Sequence, residues 1–282
     1  MTKPLELGLA VKMLEGPSSI IAKVRSFGLS TCHIGVRDPA YYDDTTHDVI
    51  ARELLRHDVR ATALWAGWPG HVAWDLRDGP ATVGLVPLAS RDSRASVIKA
   101  GADWAARLGI ETIITHLGFV PEDGNDPLYA SLIPVLQDIA RHLSANGQTF
   151  AWETGQETPT TLLRTLEDVA MDNVGVNLDP ANLILYGKGN PVDAVDSLGA
   201  YIRAVHVKDG TYPKDTRGLG EERIVGEGQV DFPRLLAALS STGYAGTLCI
   251  ECEFEGERQA AAIRKAMQRL EGWQAVASSA PA

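Results

Sequence analysis

The chain has 282 residues, of which 45% are hydrophobic and 22% are charged, as in an ordinary globular protein. Its formal net charge of −10 disfavours nucleic acids and anionic membranes as partners, because like charges repel. The first residues lack the apolar segment of a signal peptide, and no apolar run is long enough to span a bilayer. Three cysteines are too few for a disulfide framework, so we expect a cytoplasmic protein. Cys249 and Cys252 form a C-x-x-C, but strand alternation turns them to opposite faces, which disfavours a redox pair or zinc site.

Short β-like runs alternate with amphipathic helical segments along the whole chain. We predict strands at residues 5–10, 30–36, 59–65, 111–118, 148–154, 173–179, 202–209 and 245–253. Helices are predicted between them, for example at 93–108, 128–143, 159–170, 232–239 and 255–273. This order predicts an α/β protein with a single (β/α)8 TIM-barrel domain at residues 1–275, followed by a disordered tail at 276–282.

Four predicted strands in the second half of the chain carry a carboxylate or an imidazole near their carboxyl ends. These residues are Glu153, Asp179, His206 and Glu251. Successive side chains of a strand point alternately into and out of the barrel, and all four of these residues are at inward-pointing positions. In this fold the carboxyl ends of the strands form the active-site face. Burying three carboxylates together is costly without a cation. The pattern therefore predicts a divalent-metal site, which suits Mn²⁺, with Mg²⁺ or Co²⁺ as alternatives.

The segments ETGQETP, NLDPAN, HVKDGTYP, GLGEERIVGEGQVDF and IECEF resemble a known family. This is the sugar isomerase/epimerase family of xylose-isomerase-like TIM barrels, which includes ketose 3-epimerases and pentulose-phosphate 3-epimerases. The resemblance is strongest across residues 148–253. It implies that the four strand-end residues hold the metal and that Glu153 and Glu251 also form a catalytic acid–base pair. It further implies a small sugar substrate and a homodimer or homotetramer.

The reaction implied by this resemblance is proton abstraction next to a ketone through a metal-stabilised cis-enediolate. One glutamate removes the proton, and the other returns a proton from the opposite face, which inverts a carbinol centre. Return of the proton to the other carbon of the enediolate would give aldose–ketose isomerisation instead.

Further residues near the predicted metal site are candidates for substrate binding. Glu157 resembles a substrate-hydroxyl ligand of the ketose epimerases, although it could instead cap a helix. Asn182 stands where D-tagatose-type 3-epimerases carry His, so the pentulose-phosphate branch is more similar at this position. His116, on the inward alternation, could contact the substrate or a metal ligand. Lys208 could bind an anionic substrate oxygen or could simply be solvated at the strand end.

The long segment 211–228 contains several glycines together with Lys214, Arg217 and Arg223. A long loop on the catalytic face is usually functional, so this one could gather a phosphate or close over the sugar. Its glycines could also serve only turns.

A cluster of aromatic side chains follows the third predicted strand and consists of Trp65, Trp68, His71 and Trp74. Such a cluster could pack against sugar faces, cover the barrel or form a subunit contact. Among these residues we expect Trp68 to contact the substrate.

Three other functions fit parts of this pattern. A dehydratase or lyase acting on a keto-sugar, keto-glycoside or keto-inositol would share the proton abstraction and expel a β-substituent. An endonuclease acting at abasic sites occurs on the related fold, but seven histidines and a net charge of −10 disfavour it. An accessory or sugar-binding subunit would not need the two glutamates. The sequence therefore favours a metal-dependent epimerase or isomerase of a ketose or ketose phosphate.

Overall fold

The computed structural model describes residues 4–279, and its central feature is a closed barrel of eight parallel strands. The barrel strands are β1 (Leu7–Lys12), β2 (Thr31–Val36), β3 (Arg60–Ala66), β4 (Thr112–Thr115), β5 (Thr149–Glu153), β6 (Val174–Leu178), β7 (Ile202–Val207) and β10 (Leu248–Ile250). Strand β10 pairs with both β7 and β1, which closes the ring. Two short strands, β8 (Asp209–Gly210) and β9 (Glu222–Arg223), form a separate antiparallel pair. The predicted TIM barrel is confirmed.

Helices follow the strands and surround the barrel. They are α1 (Pro17–Ser26), α2 (Asp44–His57), α3 (Gly79–Thr82), α4 (Leu88–Arg107), α5 (Pro127–Ala145), α6 (Pro159–Val169), α7 (Pro180–Leu185), α8 (Pro191–Leu198), α9 (Phe232–Ser241) and α10 (Gly256–Ser279). Helix α10 continues past the predicted domain boundary at residue 275, and the rest of the predicted tail, 280–282, lies outside the described residues. No helix within residues 4–279 is long and apolar enough to cross a membrane.

Side-chain caps determine where several helices begin. The side chains of Asp126, Thr158, Asn190 and Asp231 accept hydrogen bonds from backbone N–H groups in the first turns of α5, α6, α8 and α9. Each of these helices also has proline in its first turn, where no backbone donor is required. The caps thus end the loops on the catalytic face at defined positions.

Most strands are shorter than the alternation predicts, because the chain leaves the sheet early at its carboxyl end. Strand β4 ends at Thr115, and the turn that follows needs glycine at 118, where φ is 95°. A Cβ atom at Gly118 would lie 2.2 Å from the carbonyl oxygen of Val83. His116 and Glu251 therefore lie just beyond the paired part of their strands, where they face the interior of the barrel mouth.

The inward and outward faces of the barrel strands differ in composition as the alternation predicts. Outward side chains such as Phe150 and Val176 pack in the large core between strands and helices. The barrel interior holds a small apolar cluster of Ala63, Ile114, Ala151 and Ala204. Two residues after each of these, on the same face, the chain carries Trp65, His116, Glu153 and His206. A thin apolar layer therefore supports a layer of polar and aromatic side chains at the carboxyl end.

Candidate active site and metal centre

The four predicted ligands converge at the carboxyl end of the barrel. Glu153 ends β5, Asp179 directly follows β6, His206 is next to last in β7, and Glu251 directly follows β10. One ligand atom from each residue lies within 4.8 Å of the others. The side chain of Glu251 is 17% exposed, while the other three residues are buried. These residues could hold a metal ion.

Asp179 shows most directly that a cation fits this cluster. Its Oδ1 atom accepts a hydrogen bond from the backbone N–H of Asn182 at 3.0 Å, and its Oδ2 atom is buried without a hydrogen-bond partner among residues 4–279. Burial raises the pKa of Asp179 well above its usual range; Lys208 opposes this effect, and Glu251 adds to it. A buried carboxylate oxygen with free lone pairs is costly unless a proton or a cation neutralises it. The donor set of three carboxylates and one imidazole suits a divalent ion.

His206 lies between the glutamates on one side and a second histidine on the other. Its Nδ1 atom is 2.7 Å from Glu153 Oε1 and 3.4 Å from Glu251 Oε2. Its Nε2 atom is 3.1 Å from Nδ1 of His33. Burial lowers the pKa of His206, but the two glutamates outweigh burial and raise this pKa to about 10. Metal binding at Nδ1 would therefore release a proton.

His33 is a site residue that the sequence analysis did not select. Burial, together with His206, holds the pKa of His33 well below its usual range, although Glu251 opposes them. A neutral His33 can accept a hydrogen bond from the Nε2–H group of His206, which leaves Nδ1 of His206 facing the carboxylates. The available signal was the inward alternation of His33 in β2, the same signal that selected His206.

Two donors fix the orientation of Glu153. Its Oε2 atom accepts a hydrogen bond from Trp65 Nε1 at 2.5 Å and lies 3.1 Å from His116 Nε2. Burial raises the pKa of Glu153, but His116 and His206 outweigh burial and lower it. The carboxylate is therefore ionised and held in one direction. His116 contacts a candidate metal ligand, which is one of the two roles proposed for it from the sequence.

Lys208 provides the cation beside Glu251. Its Nζ atom lies 3.3 Å from both Glu251 Oε2 and Glu253 Oε1. Burial raises the pKa of Glu251, but Lys208 and His206 outweigh burial and hold this pKa well below its usual range. Burial lowers the pKa of Lys208, but the two glutamates outweigh it and hold this pKa well above its usual value. The ammonium group is thus already paired with protein carboxylates.

A cavity of about 510 Å³ opens above the cluster and is large enough for a small organic substrate. Among the predicted residues its wall includes Glu153, His206, Glu251, His116, Asn182 and Lys208. Residues that the sequence analysis did not select also line it, including Lys12, Arg37, Gln156, Tyr186 and Glu222. Lys12 ends β1 and Glu222 lies in the short strand β9, whereas Arg37, Gln156 and Tyr186 lie beyond strand or helix ends, where alternation carries no signal about the path of the chain.

Trp68 does not line the cavity, so the structure gives no support to the substrate contact expected of it. The residue is buried, and its indole ring packs against the guanidinium of Arg94 at 4.8 Å. Arg94 in turn donates hydrogen bonds to the backbone oxygens of Gly84 and Thr82. Trp68 therefore packs against the arginine that holds residues 82–84 in place. Two other members of the predicted aromatic cluster, Trp65 and Trp74, form the cavity wall.

The cations of the 211–228 loop do not reach the cavity either. Lys214 and Arg217 are exposed on the loop surface, and Arg223 pairs with Glu221. The prediction that Arg217 and Arg223 contact the substrate is therefore not supported, because neither residue lines the cavity. The loop contributes Leu219 and Gly220 to the wall instead.

The Asp209 side chain holds the end of the 211–228 loop through hydrogen bonds to its backbone. Its buried carboxylate accepts hydrogen bonds from the backbone N–H groups of Gly226 at 2.8 Å, Gly228 at 2.9 Å and Val230 at 3.1 Å. A Cβ atom at Gly228 would lie 2.1 Å from Asp209 Oδ1, so this position needs glycine. The two glycines therefore serve turns, which was the structural alternative raised by the sequence.

Glu157 is buried behind the wall of the cavity. In the described part of the chain neither of its carboxylate oxygens has a hydrogen-bond partner, and burial raises its pKa to about 8. The neighbouring Gln156 lines the cavity, whereas Glu157 does not. The structure therefore does not place Glu157 at the position expected for a substrate-hydroxyl ligand.

Residues 21–273 match the model of the xylose isomerase-like TIM barrel family. The chain belongs to this family. A xylose isomerase domain protein from Planctomyces limnophilus superimposes with a TM-score of 0.90 and 31% identity, and the match covers 96% of this chain and 98% of that one. The resemblance expected from the sequence is thus confirmed.

More distant solved structures share the fold. A D-tagatose 3-epimerase-like protein has a TM-score of 0.75 and 20% identity, over 96% of this chain and 98% of that one. The 3-keto-D-glucoside 4-epimerase of E. coli has a TM-score of 0.69 and 15% identity, over 95% of this chain and 99% of that one. At these identities the similarity demonstrates the architecture alone.

Curated relatives are also distant. An uncharacterized protein of Methanocaldococcus jannaschii is 26% identical over 167 residues, which are 55% of this chain and 55% of that protein. The chain thus spans about half the length of this relative. A probable endonuclease 4 of Mycobacterium leprae is 26% identical over 195 residues, or 62% of this chain and 72% of that protein.

Proposed function

We propose that this protein is a divalent-metal-dependent epimerase or isomerase of a ketose or ketose phosphate. The observation that carries the proposal is the pair of ionised glutamates, Glu153 and Glu251, on the floor of a substrate-sized cavity beside the unpartnered oxygen of Asp179. The shared fold with several sugar 3-epimerases is consistent with this chemistry.

Glu153, Asp179, His206 and Glu251 would hold the ion. When bound, it supplies positive charge next to the oxygens of the substrate, where negative charge develops as a proton is removed from the adjacent carbon.

The two glutamates are suited to move this proton. They reach the site from β5 and β10, which β6 and β7 separate in the barrel, so they approach a bound substrate from different directions. Glu153, oriented by Trp65 and His116, is the base in one direction of the reaction. Glu251, once it has taken up a proton from solvent between turnovers, returns a proton to the carbon, and the Lys208 ammonium at 3.3 Å then stabilises its ionised form.

The loops after β3, β4 and β7, together with α7, shield one side of the cavity from water. Their apolar side chains form a small cluster separate from the main core, consisting of Ala181, Leu185, Tyr186, Trp74, Leu76, Phe119 and Leu219. The backbone N–H of Leu76 donates to the carbonyl of Arg217 at 3.0 Å, which joins the loop after β3 to the loop after β7. Exclusion of water on this side lets the glutamates, rather than bulk solvent, protonate the substrate carbon during a turnover.

An endonuclease is the second candidate, and the similarity to probable endonuclease 4 is the observation that favours it. The cavity of about 510 Å³ and the net charge of −10 favour a small sugar instead, because DNA binding draws on cationic surface. A lyase or dehydratase would use the same two glutamates, and only its product would differ.

The test is a screen of ketoses, ketose phosphates and keto-glycosides with Mn²⁺ in D₂O, with α-proton exchange followed by NMR. We expect exchange with one substrate class and a loss of at least about 100-fold in Glu153→Gln and Glu251→Gln. Glu167→Gln, on the exposed side of α6, is the matched control. A product of unchanged mass indicates an epimerase or isomerase, and an unsaturated product indicates a lyase. Absence of exchange with every substrate, or cleavage of abasic-site DNA, would refute the proposal.

The metal is tested separately by thermal unfolding. We expect Mn²⁺ at about 100 times its Kd to stabilise the EDTA-treated protein by about 2.7 kcal/mol. Asp179→Asn should abolish this stabilisation, and Asp172→Asn, at an exposed position, should retain it. Equal stabilisation of both variants would show that the ion binds elsewhere.

A further inference from the structure

Arg37 is an unpaired cation in the wall of the cavity. It follows β2 directly and is exposed to solvent. Within residues 4–279 its guanidinium takes part in no ion pair or hydrogen bond, unlike the buried Arg91 and Arg94, whose guanidinium groups bond to backbone oxygens. A guanidinium has five N–H donors, so its donors remain available to a ligand.

The position of Arg37 is determined by its aromatic neighbours. The guanidinium carbon lies 5.8 Å from the ring centroid of Trp65 and 5.6 Å from that of Trp74. Gly67 permits this packing, because a Cβ atom there would lie 2.4 Å from Trp65 Cζ3 and 3.1 Å from Arg37 Cγ. Cation–π contacts with two indole rings restrict the side chain before any ligand binds, which lowers the entropy cost of binding.

A second cation and an open recess adjoin Arg37. Lys12, the last residue of β1, is paired in register with Gly35 of β2, and Arg37 is the next residue on the same face as Gly35. A Cβ atom at Gly35 would meet only the carbonyl oxygen of Val11, at 3.5 Å. The absence of a side chain at Gly35 therefore leaves space between the two cations.

The indole ring of Trp65 lies between Arg37 and the proposed catalytic residue Glu153. Trp65 donates from Nε1 to Glu153 and presents its ring to Arg37. A ligand group at Arg37 and a reacting carbon near Glu153 would thus be separated by about the width of one side chain. The wall beyond Lys12 is acidic, because Glu251 and Glu253 follow β10, the strand that pairs with β1. Lys12 interacts with these two carboxylates, whereas Arg37 has no carboxylate partner within residues 4–279, so an anionic group is attracted mainly to Arg37.

From this arrangement we propose that the substrate carries an oxyanion group, a phosphate or a carboxylate, and that Arg37 binds it with help from Lys12. The inference rests on the proposed function and narrows it to anionic sugars. It also assigns substrate recognition to the ends of β1 and β2 rather than to the cations of the 211–228 loop. The planar guanidinium of Arg37, which contacts both indole rings, suits bidentate contacts with either oxyanion.

The test compares matched probes by isothermal titration calorimetry on the Mn²⁺-loaded protein. The pairs are D-xylulose with D-xylulose 5-phosphate, and D-fructose with D-fructuronate. We expect the anionic member of one pair to bind at least about tenfold more tightly, and Arg37→Gln to remove most of this preference. Lys12→Gln should reduce it less, and Arg37→Lys should retain part of it. Arg223→Gln, a cation that does not line the cavity, is the control.

The outcomes separate this inference from the proposed function. Which pair shows the preference identifies the oxyanion as phosphate or carboxylate. A preference that Arg37→Gln abolishes, without α-proton exchange of any probe, would support the anion site and refute the epimerase. Exchange of neutral ketoses with no anion preference would support the epimerase and overturn the anion site. An equal loss of affinity for neutral and anionic probes in Arg37→Gln would also overturn it, because it would indicate a purely steric role.

Discussion

The Nδ1 atom of His33 lies 3.1 Å from the Nε2 atom of His206, and the two rings are tilted with their centroids 5.2 Å apart. This contact connects β2 to β7 across the barrel interior. Nδ1 of His206 contacts Glu153 and Nε2 contacts His33. The imidazole is therefore held at both ring nitrogens. Such contacts behind a metal ligand fix its tautomer and raise its affinity for the ion.

We expect His33→Phe to weaken Mn²⁺ binding by about 10- to 100-fold, because the Nε2–H group of His206 would lose its acceptor. His33→Gln keeps an acceptor and should retain more of the affinity. Titration calorimetry of both variants checks this expectation. Equal Mn²⁺ affinity in His33→Phe and the unaltered protein would mean that His33 only fills space.

Glu157 makes stability depend on pH. Burial raises its folded pKa to about 8 from an ordinary value of 4.5, so the folded protein binds this proton more tightly than the unfolded chain does. Its contribution therefore favours folding at acidic pH and is lost as pH rises from about 4.5 through about 8. We expect Glu157→Gln to be more stable than the unaltered protein at about pH 9 by a few kcal/mol, since one pKa unit corresponds to about 1.4 kcal/mol.

Denaturant unfolding at about pH 5 and about pH 9 measures this difference. At the acidic pH the two proteins should differ little, because the unaltered Glu157 is then protonated in the folded state. Glu167→Gln controls for the loss of a carboxylate at an exposed position. A pH-independent effect of Glu157→Gln would show that Glu157 does not titrate as described.

Asp209→Asn should loosen the loop that follows β7. The amide nitrogen of Asn cannot accept the hydrogen bonds that one carboxylate oxygen takes from Gly226 and Gly228. We expect a local loss of about 2 kcal/mol, seen as roughly 30-fold faster amide exchange at these residues. Asp215→Asn, in the exposed part of the loop, keeps an acceptor oxygen for Arg217 and Gly218 and should leave amide exchange at Gly226 and Gly228 unchanged. Unchanged exchange at Gly226 and Gly228 in Asp209→Asn would contradict the proposed role.

The sequence by itself determined the architecture and the central cluster. Alternation in a strand is a local property of the backbone, so it correctly indicated that Glu153 and His206 face inward while Phe150 faces the helices. The barrel then brings inward residues near the carboxyl ends together, whatever the loops do. For this reason the four candidate ligands could be named without coordinates.

The tertiary structure alone decided which of the other residues reach the cavity. Trp65 and Trp68 are three residues apart, yet one bonds Glu153 and the other packs under Arg94, because the chain turns after β3. Arg37 lines the cavity and Arg217 does not, although both lie beyond strand ends. His33 became significant only through its contact with His206 on a distant strand. Loop paths and contacts between distant strands depend on packing of the whole barrel, and no local pattern records them.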